Sequence, residues 1–245
     1  FGLACIAVAL ILRRERTYFY LSAMGEAETL SSGFGMSFNK ATAASFKPFF
    51  ADPKEPPYTR LLLISSRLLT PEVLREAALA SVGVIMYDYE STSLKELLKA
   101  VDRARGGKLV KSVGLLAHGE PGVICVVKGF DTTLAKLKAS AELCEFWVGL
   151  SRAVRDGGDG KETEESAEAV EQGRQEGRID LLACAVAGSD EGEALVTRLE
   201  RLTSTNFAAS DDVTTRKDMV LETDGVSAGE LYFEALKLER RSPFR

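Results

Sequence analysis

The 245-residue sequence has little histidine, tryptophan or cysteine: it contains one His, one Trp and four Cys. The spacing of the cysteines fits neither a metal site nor the dense framework of a disulfide-rich secreted domain. We therefore predict no structural zinc site and no cofactor, and we expect a reducing compartment. The four thiols are those of Cys5, Cys125, Cys144 and Cys184.

The sequence also has no excess of positive charge. Its 36 Asp and Glu residues outnumber its 31 Lys and Arg residues, and the net charge is −5. No basic stretch resembles a surface that follows a phosphate backbone, so the sequence predicts no nucleic-acid partner. Neither a Gly-x-Gly-x-x-Gly after a first strand nor a Gly-x-x-x-x-Gly-Lys-Ser/Thr is present, which disfavours nucleotide binding.

The one long apolar run lies at the start, over residues 1–12, and the basic residues Arg13, Arg14 and Arg16 follow it. As a helix it would span roughly 18 Å, less than the roughly 30 Å hydrocarbon layer. Residues 1–16 are either the end of a membrane span or a helix packed against a partner. We expect membrane association, with an organellar assembly as one option. Residues 17–58 are predicted to be an extended, aromatic-rich arm that is either a linker or a docking segment.

From Arg60 onward, apolar runs alternate with amphipathic stretches, which predicts an α/β domain over 59–245 with a mostly parallel sheet and helices on both faces. The polar, glycine-punctuated stretch 156–178 is predicted to be a solvated insertion. Strands are predicted at 61–65, 82–87, 112–117, 123–127, 179–183, 206–209 and 219–222, helices at 70–80, 93–105, 132–154 and 190–202, and a closing element at 230–240.

His118 and Cys184 each follow a predicted buried strand, and Asp211 follows a third. Carboxyl ends of parallel strands gather at one edge of the sheet, where reacting groups collect. A thiol and an imidazole at one edge are the parts of a Cys–His dyad. Packing alone also explains such residues, since buried cysteines and strand-end histidines often serve no reaction.

Four segments resemble a known family. The stretch LLAHGEPG at 115–122 is similar to the His-Gly motif of caspase-like cysteine peptidases, and LLACAVAG at 181–188 is similar to their Cys motif. Together with AASDDVT at 208–214 and LLLIS at 61–65, they most closely resemble the DUF4347 domain over residues 59–228. The pattern departs at Ala117, where the family often has Ser, at Ala183, where it often has Gly, and at Leu182, where caspases have Gln.

The resemblance implies a caspase-like fold with His and Cys on neighbouring strands. Cys184 would attack a carbonyl as a thiolate, and His118 would take up its proton and return it to the leaving amine. Backbone N–H groups of Gly119 and Cys184 would meet the oxyanion. Asp211 or Asp212 would line a pocket that favours a basic side chain.

Two functions remain open from the sequence. The first is a cysteine peptidase or acyl-transfer enzyme that acts on a peptide substrate. The second is a catalytically inactive accessory or scaffold subunit of a membrane-protein complex, anchored through residues 1–58.

Overall fold

The computed structural model describes residues 49–50, 58–154, 177–215, 219–235 and 237. The predicted apolar helix at 1–16, most of the 17–58 arm and most of the 156–178 insertion lie outside these residues. The chain divides into units 1–46 and 47–245, and every described residue belongs to the second. No helix among the described residues is long and apolar enough to cross a membrane.

Strands and helices alternate along the chain. The strands are β1 (Phe49–Phe50), β2 (Arg60–Ser65), β3 (Val82–Tyr87), β4 (Ser112–Leu116), β5 (His118–Glu120), β6 (Val123–Cys125), β7 (Asp131–Thr132), β8 (Arg178–Leu182), β9 (Asn206–Ala209), β10 (Val220–Leu221) and β11 (Val226–Ser227). The helices are α1 (Pro71–Ala77), α2 (Leu94–Arg105), α3 (Leu134–Ala139), α4 (Ala141–Ser151), α5 (Asp190–Thr203) and α6 (Ala228–Tyr232).

Among the described residues, the central sheet has six strands in the order β1-β3-β2-β4-β8-β9. Five of them run parallel, and β1 pairs antiparallel with β3 at one edge. Two smaller antiparallel sheets are formed by β5-β6-β7 and by β10-β11. The predicted mostly parallel α/β sheet flanked by helices is confirmed.

One face of the sheet forms the main apolar core with α2, α4 and α5. Trp147 of α4 is fully buried in this core, and its indole N–H donates to Thr132 Oγ1 at 3.1 Å. Phe146 and Phe207 meet the Trp147 ring edge-on at centroid distances of 5.1 and 5.8 Å. The helix that carries Trp147 is thereby fixed to both the central sheet and β7.

The opposite face carries a buried polar network at the amino ends of the strands, where Arg60, Ser112 and Arg178 lie in register. We call the linked side chains of Arg60, Ser112, Arg178, Asp180 and Tyr232 the amino-end network. The Arg178 guanidinium holds the Asp180 carboxylate through Nε and, at 3.2 Å, Nη2. Tyr232 of α6 donates its hydroxyl to Asp180 at 2.6 Å, and Ser112 lies 2.6 Å from both Tyr232 Oη and Arg60 Nη1. These bonds tie helix α6 to the sheet.

Several predicted elements have different bounds in the structure. The helix predicted at 70–80 ends at Ala77, because Ala78 is extended and bridges to Phe233. The closing element predicted at 230–240 is described only in part: α6 ends at Tyr232, Phe233 forms the bridge to Ala78, and Ala235 and Lys237 are helical again. The stretch predicted as mostly helical over 132–154 divides at Ser140, which has extended backbone and caps α4 by accepting from Leu143 N–H.

The far edge strand β9 has two backbone amides that donate to side chains. Phe207 N–H donates to Glu200 Oε1 at 3.3 Å, and Ala209 N–H donates to Thr223 Oγ1 at 2.9 Å. Glu200 lies on the helix that precedes β9, and Thr223 lies in the turn between β10 and β11.

Candidate functional site

The His118 and Cys184 segments leave the sheet side by side. Leu116 of β4 is in register with Leu182 of β8, and Ala117 N–H donates to Leu182 O at 3.3 Å. A Cβ at Gly119 would lie 2.8 Å from the Cβ of Ala183 and 3.0 Å from Cys184 O, so only glycine fits this approach. The two strand ends that the sequence paired are therefore neighbours.

His118 is nearly buried and is oriented by a backbone carbonyl. Its Nε2 lies 3.1 Å from the carbonyl oxygen of Arg67, in the loop after β2. Since a carbonyl only accepts, Nε2 carries the proton and Nδ1 is the basic nitrogen of the neutral ring. Burial lowers the pKa of His118, against the raising effect of the Arg67 contact. The ring is thereby kept neutral, as a general base requires. The sequence analysis missed Arg67, since a main-chain acceptor has no residue-type signal.

Cys184 is half-buried, and its thiol donates to Thr214 O at a sulfur–oxygen distance of 3.7 Å. Burial raises the pKa of the thiol, and the negative charge of Asp212 raises it further, while contacts with backbone groups oppose the shift. The thiol is therefore protonated at neutral pH, unlike an activated nucleophile.

The turn after Cys184 is strained and tightly packed. Ala185 has a left-handed φ of 52°, and its N–H donates to Asp212 O at 2.5 Å. A Cβ at Gly188 would lie 2.5 Å from Asp211 O, so glycine is required there too. Thr70, in the loop that holds Arg67, has φ 55° although it is β-branched. Such backbone strain collects at functional sites, and two strained residues lie in loops at this edge.

Asp211 and Asp212, predicted to line a substrate pocket, are exposed beside the Cys184 turn. With Glu222 they form the only set of described residues whose ligand atoms have metal-site spacing, within 4.8 Å of one another. Asp211 N–H donates to Glu222 Oε2 at 3.1 Å, and Ser210 Oγ donates to Asp212 Oδ1 at 3.2 Å. The set is an exposed acidic surface.

A second thiol lies directly across the small sheet from His118. Cys125 of β6 is in register with His118 on one side and Asp131 on the other, so the three side chains share a face. Burial, together with the charge of Asp131, raises the pKa of Cys125 to about 11. The sequence analysis predicted the hairpin strand but did not place this thiol beside His118.

Comparison with known proteins connects the described domain to one family and to a set of curated relatives. The family "Domain of unknown function (DUF4347)" matches residues 61–234. The human "NMDA receptor synaptonuclear signaling and neuronal migration factor" is 24% identical over 184 residues, which cover 71% of this chain and 31% of that protein. Its zebrafish (Danio rerio) counterpart is 23% identical over 183 residues, with coverages of 71% and 28%. The chain thus spans less than a third of the length of these relatives.

Proposed function

Because the chain belongs to the DUF4347 family, whose function is not known, we propose a function from the geometry of its strand-end edge: a Cys–His acyl-transfer site of the cysteine-peptidase type. The observation that carries this proposal is the bond from His118 Nε2 to Arg67 O. It orients a neutral imidazole next to the strand that delivers Cys184, which supports a base with an orienting group on the strand beside the proposed nucleophile.

The proposed reaction begins when Cys184 Sγ attacks a peptide carbonyl while its proton passes to His118 Nδ1. The C–N bond then breaks, and His118 gives that proton to the leaving amine. Water hydrolyses the resulting thioester and regenerates the thiol. The backbone N–H groups of Gly119 and Cys184 meet the oxyanion. Since the resting thiol is protonated, its proton is transferred only when a carbonyl is bound.

Substrate preference follows from the carboxylates beside the Cys184 turn. Asp211 and Asp212 are exposed there, and both backbone carbonyls face residues of that turn. Two carboxylates favour a cationic side chain next to the attacked carbonyl. We therefore assign a Lys or Arg preference to the proposed site.

The test is covalent labelling of the full chain with peptidyl acyloxymethyl ketones that carry Lys, Gln or Glu next to the reactive carbonyl, with each cysteine read by mass spectrometry. The expected result is labelling at Cys184 that falls at least about tenfold in His118→Ala and follows the order Lys, Gln, Glu. Cys125 and Cys144 are internal control thiols. Equal labelling of all three, or labelling that His118→Ala leaves unchanged, would refute the dyad.

A second candidate function is a non-catalytic accessory domain, favoured by the raised pKa of the Cys184 thiol. The curated relatives are named as a signalling and migration factor, which accords with a binding role. In this alternative, residues 1–58 attach the chain to a membrane or membrane-protein complex, and β1 ties the end of that arm to the sheet edge.

This alternative predicts that a chain beginning at Lys47, which retains β1, stays folded but loses co-sedimentation with membranes. Circular dichroism checks the fold, and flotation with phosphatidylcholine–phosphatidylserine vesicles checks attachment. Equal flotation of the full and shortened chains contradicts the anchoring role. Labelling of Cys184 that depends on His118 contradicts the lack of catalysis.

A further inference from the structure

Away from the strand-end edge, helices α3 and α5 enclose an open groove of about 510 Å³. Residues four apart on α3, and three or four apart on α5, point to the same side of their helix. The lining residues of each helix therefore form one wall of the groove, and in these walls small or apolar side chains lie near basic side chains. The groove is lined by Leu134, Lys138, Ala194, Thr197, Arg198 and Arg201.

Three basic side chains line this groove. Arg198 and Arg201 are three apart on α5, a like-charge spacing that destabilises a helix, and Lys138 adds a third positive charge from α3. Within the described part of the chain, none of the three forms an ion pair. The helix macrodipole favours basic residues near the C-terminal turns, but it does not explain their convergence on one groove in an acidic chain.

We propose that the α3–α5 groove is a docking site for an acidic peptide segment of a partner protein. Carboxylates of the segment would pair with Lys138, Arg198 and Arg201, and a small apolar side chain would lie between Leu134 and Ala194. The volume falls within the range of clefts that accommodate a few side chains. Pairing with carboxylates would also relieve the repulsion between Arg198 and Arg201.

The groove fits a peptide better than a nucleic acid or a membrane. A nucleic acid needs a basic tract that follows several phosphates, whereas this groove has three cations in a chain of net charge −5. A membrane-binding helix presents large apolar side chains beside its basic ones, but the exposed wall of α5 has only Ala194 and Thr197 between its arginines and the first turn.

The experiment measures fluorescence anisotropy of a labelled peptide made of four Glu-Leu-Glu-Ala repeats, titrated with the full chain at low salt. A matched peptide has Gln in place of Glu. We expect the Glu peptide to bind, and Arg198→Glu with Arg201→Glu to weaken it at least about tenfold. The control pair Lys95→Glu and Lys99→Glu makes the same charge change on the exposed side of α2 and should leave the affinity within about twofold.

The proposal fails if the Glu peptide does not bind or if the Gln peptide binds equally well. It also fails if the α2 control variant loses as much affinity for the Glu peptide as the Arg198→Glu and Arg201→Glu variant does. Tighter binding of single-stranded DNA or of phosphatidylserine vesicles through the same arginines would overturn it too. A further variant of the full chain replaces the acidic residues of 155–176 with Gln. If it binds the peptide at least about tenfold more tightly, the groove serves the chain's own acidic segment, and the partner proposal fails.

Discussion

Polar side chains are bonded differently at the two ends of the central sheet. At the amino ends, the amino-end network bonds charged and hydroxyl groups to one another, and Asp180 and Arg178 are almost completely buried. At the carboxyl ends, His118 Nε2 bonds to Arg67 O and the Cys184 thiol bonds to Thr214 O, next to strained loops. The amino end thus carries a polar network bonded within the fold, whereas the carboxyl end carries the residues of the candidate site.

The difference shows how burial of a polar group can be interpreted. A buried carboxylate bonded on both oxygens, such as Asp180, has its desolvation largely compensated and is available for no other partner. His118 is also buried, but its Nε2 bonds to a main-chain oxygen and Nδ1 is the basic nitrogen of its neutral ring. We therefore expect the polar side chains at the amino end to stabilise the fold and those at the carboxyl end to contribute little to stability. Four stability measurements test this difference.

Asp180→Ala should cause the largest loss. It leaves the buried Arg178 with only a long contact, 4.0 Å, to the Asp224 carboxylate, and removing one partner of a buried ion pair costs about 3–5 kcal/mol. Urea unfolding followed by circular dichroism measures the change. Asp102→Ala, which removes an exposed pair with Arg105, is the matched control and should cost less than about 1 kcal/mol. Similar losses in both variants would contradict the structural role of the network.

Tyr232→Phe should cause a smaller loss, about 1.5–3 kcal/mol, because it removes the hydrogen bonds to the Asp180 carboxylate and to Ser112 but leaves the ring in place. The same unfolding experiment measures it. Tyr89→Phe is the control, since the Tyr89 hydroxyl makes one longer contact, 3.4 Å, with Asp131. A loss in Tyr232→Phe no greater than in Tyr89→Phe would mean that the network does not hold α6.

His118 should make stability depend on pH. Because burial lowers its pKa in the folded state, the unfolded chain takes up a proton first as the pH falls below about 6.5. The folded state is then disfavoured, with a slope of at most about 1.4 kcal/mol per pH unit for one proton. Unfolding free energies of the native chain and of His118→Asn, compared from pH 7.5 to 5, measure this. Parallel pH profiles would show that His118 is hydrated in the folded protein.

Cys184→Ala should change stability least, by less than about 1 kcal/mol, because the thiol is a weak donor and its one contact with Thr214 O is long. Urea unfolding again supplies the measurement, with Cys144→Ala, whose thiol lies 3.1 Å from Leu137 O, for comparison. If Cys184→Ala lowered the free energy of unfolding as much as Asp180→Ala, Cys184 would be a structural residue and the two ends of the sheet would not differ in this respect.

The sequence was sufficient for the five parallel strands, because buried parallel strands are continuous apolar runs and turn residues separate them from helices. It did not predict the antiparallel strand β1, which lies in the segment predicted to be an extended arm. The strand pattern also placed His118 and Cys184 at one edge of the sheet, since carboxyl ends of parallel strands lie at the same edge, and the family resemblance implied neighbouring strands. Arg67 could not be found this way, because its carbonyl is an atom that every residue has. Asp180 did leave a signal: a carboxylate inside an apolar strand requires a partner, although nothing in the sequence identifies Tyr232 as one.

The side-chain bonds on β9 have a consequence for how the protein behaves at high concentration. An edge strand with open amides is a template on which another chain can add a strand and begin an aggregate. Here Glu200 and Thr223 already accept from the amides of Phe207 and Ala209, so an incoming strand would first have to displace both. Glu200→Ala removes the acceptor of the Phe207 amide and should promote self-association through main-chain pairing between edge strands. The expected sign is a rise in light scattering before any loss of helix content.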